Sequence, residues 1–287
     1  MRPRASAARC NNSLKITAQD EREFYDTLYR AHLQAPDDDL RISRDSMLRD
    51  LEQPSGPLYE RRRLYAAVVQ QLLFEPLAGR SVLDYGCGLG EWGVLMATEG
   101  ARVALLDLSS VAVQIGLRRA AASSVADRVR GFARDAADLS CFADGEFDLI
   151  YANAALHHTL KYPNALAELV RVLRPGGKLI LAETYGNNRL LNWLRRARWW
   201  VSRQPDEAGE EIILGDRELD LLRTRFHYVE ARPMNLFAMA KRLFRGRFQS
   251  PLVPGILRFL ESVDDRLLRR FPSLRRFCGE ILVVAEK

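Results

Sequence analysis

In the run VLDYGCGLG, residues 82–90, an apolar strand pattern closes on three glycines spaced two apart, and a carboxylate, Asp84, stands just before them. Glycine admits positive φ angles and lets a ligand approach the backbone, and a helix after such a loop presents free N–H groups. NAD, FAD and other nucleotide-like ligands all suit that arrangement. Two details count against a pyrophosphate. The dinucleotide pattern is G-x-G-x-x-G, whereas Gly86, Gly88 and Gly90 bring the third glycine one residue early. An anion at Asp84 is also awkward beside a pyrophosphate and suits a ligand that carries positive charge. Two more carboxylates, Asp107 and Asp135, end later apolar runs, and the pair His157–His158 follows Asn153 closely. Carboxylates there would accept from hydroxyl and amino groups, and a neutral imidazole could take a proton from a hydroxyl.

Alternating elements must position these groups. Leu64–Leu73, Gly90–Thr98, Val111–Ala121 and Asn164–Leu173 read as helices. Ser109 stands where an N-cap belongs, and Pro175 with Gly176 stops the last of the four. Ser81–Tyr85, Arg102–Leu106, Val129–Ala133, Phe147–Ala152 and Lys178–Glu183 read as strands. Strands alternating with helices imply right-handed crossovers and a parallel sheet covered on both faces. The rhythm breaks at Gly186 and returns with Asp216–Thr224, Phe226–Arg232 and the closing strand Glu280–Ala285.

Five pieces in one order, VLDYGCGLG, VALLDLS, ARDAADL, FDLIYANAALHH and LRPGGKLILAE, make residues 80–184 resemble a class I S-adenosyl-L-methionine (SAM)-dependent methyltransferase of the small-molecule type. SAM carries an ammonium and a sulfonium and no phosphate, which agrees with Asp84. The resemblance implies a Rossmann-like α/β domain whose seven-stranded sheet ends in an antiparallel strand. It divides the chain into an N-terminal tail and helical cap at 1–63, a SAM-binding core at 64–185, and the rest of the sheet at 186–287. Lid insertions are expected at 186–215 and 233–277. By the same resemblance Gly86, Cys87, Gly88 and Gly90 surround the methionine part of SAM, with Asp84 near its amino group. Asp107, followed by Leu108, accepts the ribose hydroxyls; Asp135 accepts from the adenine amino group beside the Ala136 N–H; Asn153 faces the cofactor or the reacting centre. His157 and His158 are the candidate bases, although loop holding and pocket shape are the favoured use of such a pair. Glu183 and Tyr185 are expected at the mouth of the substrate pocket. A helix from Glu21 to His32, with Phe24, Leu28 and Ala31 on one face and Tyr25 and Tyr29 nearby, is expected to fold over the site. His227 is expected to be buried packing, and no metal site is expected.

The chain has 287 residues, 47% of them hydrophobic, and a net charge of +6. Its four cysteines lie far apart without a CxxC pair, which suits a reducing cytoplasm. Residues 1–19 hold four basic side chains and no acid, and read as a frayed tail or a transit segment rather than a secretory signal. From Pro233 to Phe277 ten Lys and Arg stand against three acids. Ile256, Leu260, Val263, Leu267 and Phe271 recur there at helical spacing, with Arg258, Arg266, Arg269 and Arg270 on other faces. Three readings compete for this segment: a lid over an apolar substrate, core packing or a dimer interface, or a peripheral surface (190–202 and 236–271) resting on anionic lipid; the Trp–Arg run at 190–202 suits the first and third. The expected partner is a small lipophilic molecule methylated on oxygen or carbon. Nucleic acid is disfavoured because the apolar stripe is too continuous for a phosphate-tracking face. A protein or RNA methyltransferase, a non-catalytic SAM-binding scaffold and an NAD-dependent oxidoreductase are the alternatives.

Overall fold

The computed structural model describes residues 18–162, 164–188, 191–193 and 213–287. Four helices precede the sheet: α1 (Ala18–Tyr29), α2 (Asp37–Leu40), α3 (Arg44–Glu52) and α4 (Arg62–Leu72). Then follow β1 (Ser81–Tyr85), α5 (Glu91–Thr98), β2 (Arg102–Asp107), α6 (Ser110–Ala122), β3 (Val129–Ala133) and β4 (Phe147–Asn153). The chain continues through α7 (Leu156–Thr159), α8 (Ala165–Val172), β5 (Leu173–Thr184), α9 (Asp216–Arg225) and β6 (Tyr228–Met234). It closes with α10 (Val253–Arg270) and β7 (Glu280–Glu286).

The strands form one sheet in the order β3-β2-β1-β4-β5-β7-β6. The first five are parallel, and β7 lies antiparallel between β5 and β6. This is the Rossmann-like sheet expected from the alternation. Strand order reverses between β1 and β4, so the loops leaving their C-terminal ends diverge and open a crevice. Period-two alternation decides which core each side chain enters. Val82, Leu105, Tyr151, Ile180 and Leu282 meet Leu64, Val68, Leu95 and Met96 on one face. Leu83, Leu106, Ile150, Leu181 and Val283 meet Leu169, Leu219 and Leu222 on the other.

Ser109 caps α6 by accepting from the Ala112 N–H. Several elements differ from the sequence expectation. β5 begins at Leu173 because the chain stays extended through Pro175 and pairs Leu173 with Phe147 before a register shift. On α1 the cavity side carries Glu21, Tyr25 and Tyr29, while Leu28, and Ala31 in the 3-10 turn that follows, are exposed. His227 is exposed, since β6 starts one residue later and leaves it at the sheet edge. On α10 the buried stripe is Val253, Leu257, Asp264 and Leu268, so Ile256 and Phe271 are exposed. Much of 186–215, with most of the Trp–Arg run, lies outside the described residues; Trp193 is described and exposed.

Among the described residues no helix is long and apolar enough to cross a membrane.

Glu280 opens β7 in full burial and holds Lys241 at 2.7 Å and Arg61 at 3.2 Å. Burial alone would raise its carboxyl, but the two cations outweigh burial and hold it at about 2. Gly90 sits at φ 78°, and a Cβ there would lie 2.7 Å from the Gly116 Cα of α6. Backbone strain and this backbone contact act together, so Gly90→Ala should lower unfolding free energy by roughly 2–4 kcal/mol in urea titration.

Candidate functional site

A cavity of about 370 Å³ lies outside the C-terminal ends of β1 to β4, within the size range of small-ligand sites. Its floor is the turn after β1. Gly86 and Gly88 have φ of 67° and 51°, and a Cβ on Gly86 would stand 2.4 Å from the Ala155 Cβ. The Cys87 N–H bonds the Leu106 carbonyl at 2.9 Å, which ties the turn to β2. The Cys87 thiol is buried and its pKa is pushed well up by burial, so it is a packing group rather than a thiolate nucleophile. Gly90 does not line the cavity; it turns toward Gly116 and seats α5 on α6.

Three carboxylates from three consecutive strands line this one cavity. Asp84 on β1 accepts from the Gly93 N–H at 2.8 Å in α5. Burial, only partly offset by that N–H, pushes its carboxyl up to about 7. Asp107 at the end of β2 accepts from the Gly88 N–H at 2.8 Å and the Ser109 N–H at 2.9 Å. Burial outweighs both donors and raises it to about 6. Asp135, after β3, accepts from the Ala137 N–H at 2.9 Å. The Tyr85 hydroxyl donates to the Ala136 carbonyl at 2.8 Å and anchors this loop. Leu108 lines the same wall.

The opposite wall comes from β4 and α7. Asn153 Nδ2 donates to the Tyr65 hydroxyl at 3.4 Å, while its Oδ1 is buried and has no partner. The histidine pair is split in two. His158 lines the cavity, with Nε2 3.4 Å from the Tyr25 hydroxyl. His157 turns inward, with Nδ1 2.8 Å from Glu183 Oε2. The two rings lie with centroids 4.1 Å apart and planes tilted by 34°. Glu183 is fully buried and does not line the cavity. Its Oε1 accepts from the Ala155 and Leu156 N–H groups at 3.1 and 3.0 Å, at the start of α7. Tyr185 is likewise buried away from the cavity, donating to Asp216 and accepting from Asn187, each at 2.7 Å. Both expectations failed for one reason: Glu183 in β5 and Tyr185 just past its end face the α8–α9 side of the sheet, where alternation carries them.

Tyr25 and Tyr29 of α1 close the cavity, their rings stacked at 6.0 Å. Burial and the neighbouring Asp107 raise the Tyr29 phenol, which stays protonated. Glu21, Trp92, Thr159 and Tyr162 also line the cavity and were not anticipated. Trp92 follows the glycines by two residues and was within reach of sequence reasoning. Tyr65 and Arg61, whose Nη1 lies 3.4 Å from the Tyr65 hydroxyl, carried no local signal because α4 reaches the site by packing.

A family model described as "Methyltransferase domain" matches residues 58–211, more than half of the chain. The chain belongs to the class I SAM-dependent methyltransferases. Among its relatives, the demethylmenaquinone methyltransferase of Clavibacter sepedonicus is 36% identical over 108 residues, 38% of this chain and 42% of that protein. The 27-O-demethylrifamycin SV methyltransferase of Amycolatopsis mediterranei is 37% identical over 107 residues, 37% of this chain and 39% of that protein. The chain thus spans about two fifths of the length of these curated relatives. Among solved structures, geranyl diphosphate C-methyltransferase from Streptomyces coelicolor A3(2) shares the fold, with TM-score 0.55 and 18% identity over 94% of this chain and 97% of that one.

The raised carboxyls of this site make a pH prediction. In the unligated fold Asp84 and Asp107 hold protons that the unfolded chain releases near pH 4, so their burial costs stability increasingly as pH rises toward about 7. A cationic ligand beside them needs the carboxylates. SAM affinity should therefore fall as pH is lowered from about 7.5 to about 5.5, with proton release on binding. Calorimetry in two buffers of different ionisation enthalpy measures both; a flat profile would put the ligand's cation elsewhere.

Proposed function

We propose that this protein transfers the methyl group of SAM to an oxygen or carbon atom of a small lipophilic molecule. The observation that carries this reading is the row of three strand-tip carboxylates, Asp84, Asp107 and Asp135, in one cavity that offers acceptors where a pyrophosphate would need donors. The orphaned Asn153 Oδ1 adds a buried acceptor that a ligand donor would satisfy. SAM supplies an already activated methyl, so the protein's task is alignment in a dry pocket.

In this reading Gly86, Cys87 and Gly88 cradle the amino-acid end, and Asp84 holds its ammonium. Asp107 takes the ribose hydroxyls beside Leu108, Asp135 takes the adenine amino group beside Ala136, and Asn153 faces the reacting centre. Tyr25 and Tyr29 belong to the cap assigned to residues 1–63, over a SAM-binding core at 64–185, with lid insertions at 186–215 and 233–277 assigned to the rest of the sheet at 186–287. His158 is the proposed base, because it lines the cavity whereas His157 is engaged with Glu183. The Glu183–His157 pair holds α7 and so aims His158. A lipophilic acceptor is supported by the mixed aromatic wall of Tyr25, Tyr29, Trp92 and Tyr162 and by the quinone and rifamycin names of the relatives. Free thiols at Cys87, Cys141 and Cys278 suit a cytoplasmic setting.

Calorimetric titration of SAM tests the cofactor assignment. Asp107→Ala should lose roughly fiftyfold or more in affinity, as expected when a charged acceptor of two hydroxyls is removed. Asp107→Asn retains the shape and controls for folding. Failure of the wild type to bind SAM would end this reading. His158→Ala should leave SAM affinity near the wild-type value while slowing methyl transfer to a panel of lipophilic hydroxyl and enolate compounds by roughly a hundredfold or more. SAM binding with no transfer to any acceptor would favour the scaffold alternative, and unchanged rates in His158→Ala would remove the base.

A further inference from the structure

The outward face of α10 and the segment preceding it differ from the rest of the surface. Six of the thirteen exposed large hydrophobics among the described residues fall between Phe237 and Phe271. Scattered single apolar residues are ordinary on a surface, and a concentration of them is not. Leu252, Ile256 and Phe259 are 75%, 41% and 64% exposed, and the spacing i, i+4, i+7 puts them on one stripe. Val263 continues that stripe. The 3-10 helix Phe237–Phe244, packed beside α10, adds Leu243 at 80% exposure. Core packing does not use this stripe, since α10 buries Val253, Leu257, Asp264 and Leu268 instead.

Charge is sorted across the same elements. All three acids are engaged by the body of the protein, although the Asp265 side chain stays about half exposed. Asp264 is fully buried and accepts from the N–H groups of Leu236, Phe237 and Ala238. Glu261 pairs with Arg62 at 2.7 Å, and Asp265 pairs with Arg63. Arg247, Arg258, Arg266, Arg269 and Arg270 are exposed and have no acidic partner among the described residues. Solvent therefore meets an apolar ridge flanked by cations with no anion between them.

We propose that the outer face of α10, with Leu243 beside it, is a peripheral membrane-binding surface for anionic phospholipid. Leu252, Ile256, Phe259 and Leu243 enter the boundary between headgroups and acyl chains, and the arginines meet the headgroup phosphates. Charge complementarity selects this occupant. A second copy docked face to face would bring the same unpaired arginines together, and symmetric interfaces require that self-match. The surface uses none of the cavity-lining residues, so it stands apart from the methyl-transfer reading.

Co-sedimentation of the full chain with vesicles tests the proposal. Vesicles of phosphatidylcholine and phosphatidylglycerol in a roughly two-to-one ratio should bind the protein at least about tenfold more strongly than phosphatidylcholine alone, and added salt should weaken that binding. The pair Ile256→Ser with Phe259→Ser, and separately the pair Arg266→Glu with Arg270→Glu, should each reduce partitioning by roughly tenfold. All four positions are outside the core, so thermal melting should stay within a few degrees of wild type and SAM affinity should not change. Indifference to anionic vesicles, or equal binding by both variants, would overturn the proposal. So would a sedimentation-velocity dimer that dissociates in the Ile256→Ser, Phe259→Ser variant, or binding to single-stranded RNA in place of vesicles.

Discussion

Everything at this site rests on how closely α5 approaches α6. Gly90 and Gly116 meet backbone to backbone, and a Cβ on Gly116 would already press within 2.6 Å of Leu105 Cδ1. That approach lets Gly93 come down onto β1, where its N–H reaches Asp84. A Cβ on Gly93 would stand 2.7 Å from the Asp84 carboxylate. The glycines therefore do two different jobs. Gly86 and Gly88 expose backbone to the cavity, whereas Gly90, Gly93 and Gly116 remove side chains so that two helices and a strand can hold one turn in place.

The turn in turn makes a costly set of carboxylates tolerable. Asp84 and Asp107 are buried, and each keeps a backbone N–H as partner without being neutralised by a cation. Burial wins over these donors, so both carboxyls rise. Glu280 shows the opposite balance on the same face of the sheet, because Lys241 and Arg61 supply opposite charge at close range. Glu280 is held by cations away from the cavity, whereas Asp84 and Asp107 stand at the cavity with backbone donors alone. A ligand with positive charge or hydroxyl donors completes what the fold leaves half satisfied.

On the other wall Glu183 performs an organising task that its position in β5 did not advertise. Its Oε1 accepts two backbone N–H groups at the start of α7, and its Oε2 lies 2.8 Å from His157 Nδ1. Free N–H groups at a helix start attract an anion. This anchorage turns one histidine inward and leaves the other at the cavity, where Tyr25 of α1 approaches it. Cap, base and scaffold thereby meet at one histidine.

Much of this was legible without coordinates. Strand-ending acids, the glycine turn and the N-cap Ser109 are local patterns, since β-alternation, positive φ and helix capping depend on a few neighbouring residues. They put Asp84, Asp107 and Asp135 at or just after strand ends, and the resemblance joined them with Asn153 around one ligand and supplied the antiparallel β7. Local patterns also ran out at identifiable points. Gly90 was grouped with the exposed glycines because its contact partner, Gly116, lies beyond any local window. Glu183 and Tyr185 were assigned to the mouth because the strand's phase against α8 and α9 is a matter of packing. The same limit applies to α10, whose sequence supports a continuous apolar stripe. Tertiary contact with the rest of the fold chose a neighbouring stripe for burial and left Leu252, Ile256 and Phe259 outside. Short-range chemistry thus dictated which groups stand at the tips of the strands. Long-range packing dictated which way each one faces, because a side chain's direction is fixed by whatever fills the space behind it.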